Sequence, residues 1–127
     1  MDQAALVESK IEAGTALLSA LDALGFPIKS AFWNYSDETG WRLVIASQLV
    51  RERGVREAYQ RVNQALFGLR GIDLALSDVS LVPDTEPLVA LLARAISTGP
   101  SDLSRIRFTG NAINGVFIED ALIYRST

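Results

Sequence analysis

The apolar residues of this chain change their spacing from segment to segment, between three-to-four and alternate positions. That succession of periods constrains what the chain can fold into. Over residues 3–24, Ala4, Val7, Ile11, Leu17, Leu18, Leu21 and Leu24 recur at helical spacing, with Glu8, Glu12, Thr15, Ser19 and Asp22 opposite them. Asp2 is placed to cap this helix, Gly25 to end it, and Pro27 to stop its continuation. Residues 29–47 read as a hairpin, aromatic in its first strand and rich in β-branched residues in its second. Asp37-Glu38-Thr39-Gly40 makes a four-residue turn, with Gly40 supplying a positive φ. Pairing Ser36 with Trp41 sets Phe32, Asn34, Trp41, Leu43 and Ile45 on one face. Ala31, Trp33, Tyr35, Arg42, Val44 and Ala46 then share the other.

Residues 55–69 form the clearest helix. Val55, Ala58, Tyr59, Val62, Ala65, Leu66 and Leu69 lie on one stripe, and Gly71 follows as a stop. Residues 78–82 partly alternate and read as a short strand ended by Pro83. Asp84, Glu86 and Pro87 open a third helix, whose apolar stripe is Leu88, Leu91, Leu92, Ala95 and Ile96. Residues 104–125 read as a second hairpin around Asn114-Gly115, with a bulge expected where Glu119 and Asp120 interrupt an apolar run. The order is α-ββ-α-β-α-ββ. The fold class expected is α+β, one domain over 1–127: a two-layer, mainly antiparallel sheet of about five strands packed against three helices.

Composition removes whole classes of chemistry. The chain has no histidine and no cysteine, so it builds no Ser-His-Asp or Cys-His nucleophile, no thiolate or imidazole zinc site and no disulfide. No metal or cofactor is expected, and no residue is assigned a catalytic role. The N-terminus is acidic without a basic leader region, and the uncharged stretch within 12–28 is broken by Asp22 and too short for a bilayer. A soluble cytoplasmic protein without membrane contact is therefore expected. Ten arginines against two lysines suit a GC-rich bacterial genome, a statement about codons rather than function.

The net charge of −3 hides an asymmetry. Residues 1–40 sum to −4, residues 41–70 to +4, and residues 71–127 to −3. An acidic protein is a poor general nucleic-acid binder. The basic segment nonetheless gives one candidate anion site, Arg51, Arg53, Arg56 and Arg61. Arg51 and Arg53 are read in the loop entering the second helix and Arg56 in its first turn. The ordinary reading of the same residues is a solvated helix face balanced by Glu52 and Glu57.

A second candidate is the aromatic hairpin face: Trp33, Tyr35, Trp41, Arg42 and Val44. Trp and Tyr anchor interfaces, and a second copy of the chain would cover such a face economically. The alternative is that helices of the same chain cover both faces. Asp73, Asp78, Asp84 and Glu86 have turn and capping roles, and their spacing matches no calcium loop. Glu119 and Asp120, inside a strand, are candidates for a buried or groove-lining acid. The Thr109–Gly115 segment is a hairpin tip, since it lacks the lysine and following helix of a nucleotide loop.

The leading expectation is a non-catalytic binding or accessory module that self-associates, as a dimer, through its sheet, with a protein partner as a further option. The alternative is a small enzyme acting on a phosphorylated or carboxylated molecule, with Arg51, Arg53 and Arg56 as clamp and Glu52 or Glu57 as base. A weaker one is local nucleic-acid contact through Arg53, Arg56, Arg61 and Tyr35.

Overall fold

A computed structural model of the chain describes residues 5–127. Asp2 and Ala4, expected to cap and open the first helix, lie outside the described residues. Helix α1 spans Glu8–Ala23, later than its apolar spacing suggests, because Val7 is extended and ends the non-helical entry. Glu8 in the first turn suits the positive end of the helix and pairs with Arg105. Ile11, Leu17, Leu18 and Leu21 are buried, and Gly25, at φ +75°, closes the helix as expected.

Strands β1 (Ser30–Ser36) and β2 (Gly40–Ser47) form the first hairpin, with one correction of register. Gly40 keeps its positive φ but begins the strand instead of ending the turn, so Ser36 pairs with Gly40 and Tyr35 with Trp41. A one-residue slip inverts every side chain of one strand. Trp41, Leu43 and Ile45 therefore share a face with Ala31, Trp33 and Tyr35. Arg42, Val44 and Ala46 lie with Phe32 and Asn34. Burial selects this register, because it stacks Trp33 on Leu43 and Ala31 on Ile45 within one core.

The segment after β2 is also helical. Helix α2 (Gln48–Arg53) starts at Ser47, whose hydroxyl accepts from the Leu49 N–H at 3.1 Å. Gly54, at φ +90°, separates it from α3 (Val55–Gly68). The chain then returns through a short helical turn to β3 (Val79–Pro83), which pairs parallel to β2. A parallel neighbour needs such a crossover, so the five-stranded sheet is mixed rather than purely antiparallel. Its order is β3-β2-β1-β5-β4, with β4 (Ile106–Ile113) and β5 (Val116–Ser126) joined at Asn114 and Gly115, both at positive φ.

Cores form on both faces. Helices α1 and α3 cover Ala31, Trp33, Leu43, Ile45 and Tyr124. Helix α4 (Pro87–Ala95) crosses the opposite face, setting Val89 and Leu92 against Phe32, Ala46 and Ile123. The second face thus carries a helix of its own, beyond the expected two layers. Pro87 takes the first helical position and Glu86 the cap without a side-chain bond. Asp84, expected as the capping acid, faces Arg51 instead.

Two irregularities shape β5. The register does not shift at Glu119–Asp120. It shifts where Ala31 pairs with Arg125 and Phe32 with Ile123, leaving Tyr124 as the extra residue. Tyr124 then packs in the α1–α3 core and Arg125 reaches Asp22 of α1. Nearer the tip, Gly110 (φ +56°) interrupts the β4–β5 ladder between the Thr109–Asp120 and Asn111–Ile118 pairs. Beyond it, Ile113 and Ile118 join the α4-side core.

Candidate functional site

The four arginines do not converge. Arg51 and Arg53 occupy the last turn of α2 rather than a loop. Arg51 grips Asp84 through Nε at 2.9 Å and Nη2 at 3.1 Å, which holds the Asp84 carboxyl below its ordinary range. Arg61 pairs with Glu57 one turn earlier, at 3.2 Å. Arg53 and Arg56, on either side of Gly54, are exposed and make no ion pair among the described residues.

The aromatic candidates also divide. Trp33 is 1% exposed beneath the helices, and its indole donates to the Tyr124 hydroxyl. It therefore offers nothing to a partner. Tyr35 and Trp41 are half-buried, with ring centroids 5.5 Å apart, and Arg107 lies over the Trp41 ring. Arg42 is not beside Tyr35. It sits opposite Asn34 and donates to Ser80 Oγ, the Ser77 carbonyl and the Val79 carbonyl, fastening β2 to β3. Val44 belongs to the α4-side core.

The two strand acids have different fates. Asp120 is buried, taking both guanidinium arms of Arg107 and the Thr109 hydroxyl. Glu119 lines a groove of about 550 Å³ between the start of α4, the end of β1 and the curled hairpin tip. Its apolar lining includes Leu88 and Leu91 of α4 and Val116, Phe117 and Ile118 of β5. Val116 is 43% exposed and Phe117 64%. Among the described residues three carboxylates border it, those of Asp37, Glu86 and Glu119, and no lysine or arginine lines it. The Tyr35 phenol in this lining is held above its ordinary value by burial, with Asp37 and Glu119 adding to the effect. Among the described residues no three acids gather closely enough to hold a metal ion, so these carboxylates border the groove without forming a chelate.

Comparison with known families, curated proteins and solved structures finds no match. What the groove does must therefore be read from its own chemistry. An apolar floor with a negative border attracts a guest that is apolar and positively charged.

Sequence reasoning did not single out the groove. Its lining comes from three segments, around residues 34–37, 86–91 and 116–119. The legible signals were Glu119 within an apolar strand and adjacent Val116 and Phe117 beside a turn. Also missed was the pair in which buried Arg125 meets both Asp22 oxygens, at 3.0 and 2.8 Å. This pair ties the last strand to α1 and has a structural role.

Proposed function

We propose that this protein is a non-catalytic binding module that works through the groove and takes a partner segment both apolar and positively charged. One observation carries the reading: among the described residues three carboxylates and no lysine or arginine border a lining that leaves Val116 and Phe117 open to solvent. Exposed apolar side chains beside like-signed charges mark a surface built for a complementary partner. The enzymatic alternative has less support. It asks for an arginine clamp and a carboxylate base in one cleft, whereas Arg51 is engaged by Asp84 and no arginine lines the groove with Glu119.

Fluorescence anisotropy with a labelled peptide alternating arginine and leucine tests this reading, with a glutamate–leucine peptide as control. The arginine peptide binds, the control does not, and Asp37→Asn with Glu119→Gln weakens binding by up to about tenfold. Equal binding of both peptides, or of neither, rejects the proposal.

A further inference from the structure

The segment that best complements the groove lies on the chain itself. At the α2–α3 elbow, Arg53 ends one helix, Gly54 breaks the path at φ +90°, and Val55 and Arg56 open the next. Val55 belongs to the apolar stripe of α3 yet is 47% exposed, whereas Ala58 and Val62 further along that stripe are buried. Arg53 and Arg56 flank it without ion pairs among the described residues, although Arg51 and Arg61 on either side are paired. The elbow thus presents two arginines around an apolar residue, with the exposed Glu52 beside Arg53 and Glu57 turned to Arg61. The groove presents carboxylates around apolar residues.

The exposed Leu24, beside Leu21 and Phe26 in a smaller hollow, is a poorer match. The arginine that lines this hollow, Arg61, is already held by Glu57.

We infer that the groove receives the Arg53–Arg56 elbow of a second copy of this chain. The inference rests on the groove being a binding surface and goes further by naming the guest. A contact between one elbow and one groove is small, so the association is weak and reversible. Its charge component makes it salt-sensitive. The self-association then runs through the elbow and the groove, to which the first hairpin contributes Tyr35 and Asp37, while Trp33 stays enclosed.

Sedimentation velocity over a concentration series tests this directly. Two charge-reversed proteins are needed: Arg53→Glu with Arg56→Glu, and Asp37→Lys with Glu119→Lys. Asp37, Arg53 and Arg56 are exposed and Glu119 is half-buried, and circular dichroism checks that both variants fold. The wild type associates, and raising salt from about 50 to about 500 mM weakens it several-fold. Each variant alone associates at least tenfold more weakly, and their equimolar mixture regains association, because each variant's elbow then meets a groove of opposite sign. A wild type that stays monomeric, variants that associate as the wild type does, or a mixture that stays apart each overturn the inference. If the arginine–leucine peptide still binds a monomeric wild type, only the choice of guest has failed. If it does not bind either, the groove reading fails too.

Discussion

Gly14 and Tyr124 fit together so closely that a Cβ on the glycine would stand 2.3 Å from the tyrosine hydroxyl. The hydroxyl cannot simply swing aside. It accepts the Trp33 indole N–H at 2.9 Å and donates to the Ile11 carbonyl at 2.6 Å. Gly14→Ala therefore overpacks the α1–sheet contact and costs about 1–3 kcal/mol. Gly68→Ala, where a Cβ meets nothing within 4 Å, is neutral or slightly stabilising. Urea denaturation of both variants gives the comparison. Equal stabilities would contradict the close fit.

The same hydroxyl predicts an alkaline weakness. Burial pushes the Tyr124 phenol up to about 12, against the opposing effect of the Trp33 hydrogen bond. A folded-state value above the unfolded one means that the protonated group stabilises the fold. That contribution is complete below about pH 10 and is lost as pH rises from there to about 12. Wild-type stability should fall more steeply over this interval than that of Tyr124→Phe, measured by denaturant titration at each pH. Parallel slopes would contradict the burial argument.

Buried Arg125 makes the Asp22 carboxylate necessary. Asp22→Ala leaves the guanidinium with the backbone carbonyl of Asp102, at 3.0 Å, as its partner among the described residues and costs about 1–3 kcal/mol. Adding Arg125→Met removes the stranded charge, so the double variant is more stable than Asp22→Ala alone. A double variant less stable than the single would show that the pair is not coupled in this way.

Gly110 stands on β4 between the pairs Thr109–Asp120 and Asn111–Ile118, across the ladder from the groove acid Glu119. A side chain at φ +56° is strained, so Gly110→Ala costs about 1–2 kcal/mol. Strain at Gly110 falls on the ladder that places Ile118 and Glu119 in the groove lining. The variant therefore also weakens binding of the arginine–leucine peptide, although residue 110 does not line the groove. Unchanged affinity would show that the backbone at residue 110 does not bear on the site.

Local chemistry was legible in the sequence where it depended on neighbouring residues. Asn114-Gly115 specified a two-residue turn because both positions need positive φ. Gly25 and Pro27 marked the end of α1 for the same kind of reason. The first hairpin's faces were not legible. Gly40 fits either the end of a turn or the start of a strand, and burial of Trp33 under α1 decides between them. Arg51 read as part of an anion site because its partner, Asp84, lies 33 residues away. The groove was still less accessible, since Glu119, Glu86 and Asp37 meet only after the sheet and α4 have formed.

Methyl NMR shows whether the groove is the binding surface. Leu88, Leu91, Val116 and Ile118 supply methyl groups within its lining. On titration with the arginine–leucine peptide, their signals should shift together and saturate, while those of Leu24 and Leu69 stay fixed. Shifts centred on Leu24, or no saturable shifts at the groove, would contradict the claim.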